Sequence, residues 1–62
     1  MRFMEIMDTL VNLENVNYVE KKEEEDLFVV YLAFQDGAYC ANRFETKEEQ
    51  ENLYNKIMDV VS

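Results

Sequence analysis

The sequence predicts an α+β fold: a small antiparallel β-meander of three to four strands, followed by one C-terminal helix packed on one face of the sheet. Three observations lead there. Residues 27–35 are rich in β-branched and aromatic residues and end at Asp36-Gly37, a dipeptide suited to tight hairpin turns. Thr46-Lys47-Glu48-Glu49 has the spacing of a helix capping box. Leu53, Tyr54, Ile57, Met58 and Val61 then recur at helical spacing and form one apolar stripe.

Taken in order, residues 2–7 alternate weakly and suggest a first strand. Asn12 to Val16 is rich in turn formers, with Leu13 and Val16 spaced to tuck inward. Residues 16–22 alternate as a second strand, with Val16, Tyr18 and Glu20 on one side and Asn17, Val19 and Lys21 on the other. The acidic stretch Glu20 to Asp26 reads as a solvated turn. Residues 27–35 and 38–44 pair across Asp36-Gly37. A two-residue type I′ turn there sets Gln35 opposite Ala38, Phe34 opposite Tyr39 and Ala33 opposite Cys40. The helix runs from about residue 46 to the C-terminus, with Thr46 and Glu49 exchanging cap hydrogen bonds.

At 62 residues the chain is a single domain spanning 1–62. Such a domain buries roughly 60% of its unfolded surface and needs an efficient core or a partner. Cys40 is the one cysteine and there is no histidine, so neither a disulfide nor a zinc site supports the fold. A lone thiol fits a cytoplasmic location. Nothing resembles a signal peptide, and the apolar run from Leu27 to Phe34 is too short to cross a bilayer. The net charge of −8 repels nucleic acid and anionic membranes and attracts a protein partner with a basic surface.

Strand 27–35 is apolar on both faces, whereas a sheet with one solvated face alternates. With the predicted register, one helix leaves Val29, Tyr31, Ala33, Cys40 and Phe44 as a candidate apolar self-association surface. Two copies stacking these faces give a homodimer. A fold-back of residues 2–13 over the same face and a patch reserved for a foreign partner are the alternatives.

No nucleophile–base pair exists: Cys40 falls inside a strand, Ser62 is terminal and histidine is absent. Paired carboxylates need an apolar concavity that a domain this small has little room to form. Glu23 to Asp26 lacks calcium-loop spacing, and Gly37 is the only glycine, so no phosphate-cradling loop is present. An enzyme, a metal site and a cofactor are therefore not expected. Two acidic clusters remain as candidate partner-binding residues: Glu20, Glu23, Glu24, Glu25 and Asp26, and Glu45, Glu48 and Glu49 with nearby Glu51. Their plainer role is solvation and capping; their functional role is steering onto a basic surface.

Asn12-Leu13-Glu14-Asn15-Val16 before Tyr18-Val19-Glu20, the hairpin Phe34-Gln35-Asp36-Gly37, and Phe44-Glu45-Thr46-Lys47-Glu48-Glu49 together resemble short acidic proteins of Gram-positive bacteria and their phages. Some of that class act as anti-defence or anti-CRISPR inhibitors. The resemblance implies a phage or mobile-element inhibitor that binds a host defence protein stoichiometrically. The alternatives are a structural or regulatory homo-oligomeric subunit and a nucleic-acid mimic built on the acidic clusters.

Overall fold

A computed structural model describes residues 2–61. Its elements are β1 (Phe3–Ile6), β2 (Thr9–Asn12), a 3-10 turn (Leu13–Asn15), β3 (Val16–Glu24), β4 (Leu27–Phe34), β5 (Tyr39–Phe44) and α1 (Lys47–Val61). Strands β3-β4-β5 form an antiparallel three-stranded sheet, and β1-β2 form a separate two-stranded ribbon. The α+β class and the single C-terminal helix agree with the sequence. The N-terminal segment is a hairpin of its own, where the sequence suggested one strand.

Two of the turns are tighter than the sequence suggests. Ile6 pairs with Thr9 across Met7-Asp8, and Glu24 pairs with Leu27 across Glu25-Asp26. All four turn residues have positive φ: 47° at Met7, 69° at Asp8, 47° at Glu25 and 70° at Asp26. Positive φ at both central positions is what a type I′ turn requires, and it matches the twist of the flanking strands. Glycine and asparagine fill that role in most hairpins; methionine and glutamate adopt it against a steric penalty.

At Asp36-Gly37 the expectation of a type I′ turn is corrected. Only Gly37 has positive φ, 94°. Phe34 N–H donates to the Ala38 carbonyl at 2.8 Å, and Gly37 N–H donates to the Phe34 carbonyl at 3.1 Å. The loop is therefore three residues, Gln35 to Gly37, with glycine in the left-handed position of a bulge. Ala38 N–H also donates to the Asp36 carboxylate at 2.9 Å, an Asx-type contact that favours this geometry.

The extra loop residue shifts the β4–β5 register by one. Ala33 pairs with Tyr39, Leu32 with Cys40 and Tyr31 with Ala41. A one-residue slip exchanges the two faces of the moved strand. Cys40, Asn42 and Phe44 thus lie with Val30 and Leu32, and Tyr39, Ala41 and Arg43 lie with Tyr31 and Val29. Strand β3 contains a second irregularity, a register break between Val16 and Tyr18. The break brings Val16 and Val19 to the same face, where a regular strand would oppose them.

Hairpin β1-β2 and helix α1 both cover the face that carries Val30 and Leu32. Ile6, Val11, Leu13, Val30, Leu32 and Ile57 form one buried cluster, with Phe34, Phe44, Leu53 and Tyr54 packed around it. Each such side chain contributes about 1.5–3 kcal/mol on burial. Helix α1 begins at the predicted cap. Glu49 N–H donates to the Thr46 hydroxyl at 3.2 Å, and that hydroxyl donates to the Glu49 carboxylate at 2.9 Å.

Among the described residues two polar side chains are buried inside the fold, Asn42 and Gln50. Gln50 Nε2 donates to the Lys22 and Val29 carbonyls, both at 2.9 Å, so the first helical turn is latched to the β3–β4 pair. Among the described residues no buried side-chain nitrogen or oxygen lacks a partner.

Candidate functional site

The sheet register brings the two acidic clusters to one end of the molecule, except Glu20, which stays at mid-strand opposite Tyr31. Glu24 pairs with Leu27, and Phe28 pairs with both Glu23 and Phe44. The Glu25-Asp26 turn, Glu45 and the start of α1 therefore share one edge of the sheet, although they are about twenty residues apart in sequence. Glu23 also lines a depression with Lys47, Gln50 and Glu51, which places the helix N-terminus directly beside the β3–β4 turn.

Several of the candidate acids are already occupied within the chain. Glu49 serves the helix cap. Both carboxylate oxygens of Glu24 accept from the Tyr31 hydroxyl at 3.1 Å. Glu20 lies 3.8 Å from Lys22, an exposed pair of small energetic weight. Lys47 approaches Glu51 at 3.7 Å one turn along the helix. Among the described residues, the side chains of Glu23, Glu25, Asp26, Glu45 and Glu48 make no hydrogen bond or ion pair.

The cations are turned to internal uses. Lys21 Nζ stands 4.6 Å from the Tyr54 ring centroid and Lys22 Nζ 5.0 Å from that of Tyr31, both within cation–π range. Arg2 donates to the Val61 carbonyl at 2.8 Å, where a cation complements the negative end of the helix dipole. Two cations stand at the acidic end itself: Arg43 lines a depression with Glu24 and Glu25, and Lys47 lines one with Glu23 and Glu51. The acids there outnumber the cations without being free of them.

The five residues of the expected self-association surface do not form one surface. Val29, Tyr31 and Ala33 occupy the uncovered face of the sheet, while Cys40 and Phe44 lie on the helix side. Phe44 packs on the core, and Cys40 is a half-buried free thiol that accepts from the Asn42 amide at 3.8 Å. Nor is Val29 exposed: its accessibility is 0%.

The uncovered face supplies its own cover. Tyr31 reaches Glu24, which sits opposite Leu27, so its ring lies back along the strand across Val29. Lys22 and Arg43 flank Val29 on the neighbouring strands, where their aliphatic stems screen it. Tyr39 packs beside Tyr31 with ring centroids 6.1 Å apart, yet remains 71% exposed. Together Tyr18, Glu20, Lys22, Tyr31 and Tyr39 line an open depression of about 410 Å³.

On the opposite side, a groove of about 580 Å³ runs between β3 and α1, lined by Leu13, Val16, Val19, Tyr54 and Met58. The outer side of the N-terminal hairpin exposes Phe3, Met7 and Leu10. Among the described residues no group of three or more histidine, cysteine, aspartate or glutamate side chains is arranged to hold a metal ion. No described helix is long and apolar enough to cross a membrane.

Sequence reasoning missed three residues that shape this region: Gln50, Tyr31 in its bond to Glu24, and Tyr39 on the open face. Gln50 was findable, because it extends the apolar stripe of Leu53, Ile57 and Val61 by one turn. A polar residue in a buried stripe implies waiting backbone partners. Tyr39 depends on the loop register, which the dipeptide Asp36-Gly37 alone leaves open.

No family model matches the sequence, and no curated protein or solved structure matches it.

Proposed function

We propose that the protein is a non-enzymatic binding module that docks its acidic end on a basic surface of another protein, in the cytoplasm, as a stoichiometric inhibitor. The observation that carries this reading is the meeting of the two acidic clusters at one end of the sheet, with five carboxylates there free of internal partners. Such a concentration of one sign steers association with a basic surface and makes it salt-dependent. The inhibitory role, directed at a host defence protein, rests on the resemblance to short acidic phage proteins.

The same convergence favours a second reading, mimicry of a phosphate backbone at a nucleic-acid-binding groove. Mimicry needs its carboxylates within reach of one groove; the meeting of Glu23, Glu25, Asp26 and Glu45 near one end supports that reading, while Glu24 and Glu23 point to opposite faces of the sheet.

The test is affinity capture from host lysate with the wild type and with a Glu23→Lys/Glu25→Lys/Glu48→Lys variant, at low and at high salt. These residues have no internal partner, so the variant retains the fold. Wild type is expected to retain a basic protein at low salt, and the variant to lose it. Equal capture by both proteins, or none by wild type at low salt, removes the proposal.

A further inference from the structure

The three-stranded sheet has two outer edges, and they differ in kind. Strand β3 is the longer, but it carries Lys21, Lys22, Glu23 and Glu24 and is broken in register near Asn17. Charges and bulges of this sort keep an edge from pairing with another strand. Strand β5, Tyr39-Cys40-Ala41-Asn42-Arg43-Phe44, is regular over all six residues and carries a single charge, Arg43. No described strand pairs with its outer side.

The hydrogen-bond alternation shows which backbone groups point outward. Phe34 N–H donates to the Ala38 carbonyl, so Ala38 and each second residue after it face β4. The N–H and C=O groups of Tyr39, Ala41 and Arg43 are aimed off the edge. By the same alternation, the side chains of these three residues lie together on the open face with Tyr31.

We infer that β5 pairs antiparallel with β5 of a second copy, joining the two sheets edge to edge about a two-fold axis at Ala41. The edge is self-complementary in this register. Ala41 meets its own copy, and its small side chain lets the strands close. Tyr39 falls opposite Arg43 of the partner subunit, and Arg43 opposite the partner's Tyr39. All three outward residues then find backbone partners, and two symmetric cation–π contacts form across the axis. The exposed Tyr39 ring gains a partner for its outer side. Charge selects this edge for a second copy: two chains of net charge −8 repel everywhere that acids face each other, and β5 itself contains none. This pairing takes the place of face-to-face stacking, which Lys22, Glu20 and Arg43 on the open face would oppose. It uses no carboxylate of the acidic end, although Arg43 lines a depression with Glu24 and Glu25 there.

Light scattering and sedimentation over a dilution series test the pairing. Wild type is expected to pass from a mass of 7.5 kDa to twice that value as concentration rises. Ala41→Pro removes an outward N–H at an edge position where proline is tolerated, and is expected to remain monomeric with an unchanged far-ultraviolet spectrum. Arg43→Glu, on an exposed side chain, is expected to weaken the dimer about tenfold by loss of two cation–π contacts. Hydrogen exchange adds a local reading: the Ala41 amide should slow as the dimer fills. A wild type that stays monomeric at the highest attainable concentration overturns the inference. So does a dimer that Arg43→Glu leaves unchanged and in which the Ala41 amide exchanges as fast as in the monomer.

Discussion

The Tyr31 hydroxyl donates to both carboxylate oxygens of Glu24 at 3.1 Å, and this one bond lays an aromatic ring across the open face of the sheet. The bond raises the phenol pKa above its ordinary 10.0, with burial and the negative charge of Glu24 acting in the same direction. The protonated phenol is the bonded form, so the bond's stabilisation is fully present below pH 10.0 and is lost as pH rises through the raised value. Ultraviolet titration of phenolate should show a late step that disappears in Tyr31→Phe. Glu24→Gln should bring that step to lower pH. A wild-type curve that differs from Tyr31→Phe in amplitude alone would contradict the bond.

Gln50 joins the helix to the sheet through two carbonyls, so its removal leaves buried backbone oxygens without a second donor. Gln50→Ala is expected to cost about 1–3 kcal/mol, read as a lower urea midpoint with an unchanged slope. A midpoint equal to wild type would mean that the latch carries no stability.

Replacing the non-glycine turn residues should stabilise the chain. Met7→Asn with Asp8→Gly, and Glu25→Asn with Asp26→Gly, supply residues that tolerate the observed positive φ. A gain of about 1 kcal/mol per turn is expected, seen as a higher melting temperature. A loss at either turn would show that the left-handed geometry there is not the native one.

Adjacent helix positions should respond in opposite ways. Ile57→Ala opens a cavity in the core, at an expected cost of about 2–5 kcal/mol, enough to unfold much of a small domain. Met58 is 38% exposed, so Met58→Ala should shift stability by less than about 1 kcal/mol. Circular dichroism with urea titration compares the two. Similar losses would place the helix in a different rotation.

The elements that were legible in the sequence are those whose signal is local. The run Leu27 to Phe34 forms β4, the Thr46–Glu49 box opens α1, and the stripe through Ile57 points to the core. The elements that were not legible turn on backbone geometry that composition does not determine. Asp36-Gly37 suits a two-residue or a three-residue loop, and the choice reverses the faces of Tyr39 to Phe44. Met7-Asp8 and Glu25-Asp26 carry weak turn propensity, so the first ribbon and the true length of β3 were hidden. The bulge near Asn17 placed Val16 and Val19 on one face against the apparent alternation.

The acidic clusters were visible as clusters, but their meeting was not. It follows from strand order and register, which join the turn after Glu24 to the residues after Phe44. The self-association set failed for the complementary reason. A strand that is apolar on both faces looks unfinished until a neighbouring tyrosine and two long cations are seen to fold over it.

Because each strand pairs with its immediate neighbour in the chain, the ladders require only short loop closures. Local pairing of this kind favours fast folding. The distant closures include Gln50 to the β3–β4 pair, the first ribbon to the shared core, and Arg2 to the Val61 carbonyl, separated by nearly the whole chain. They are therefore the natural late events of assembly, and the first to give way when the native state begins to open.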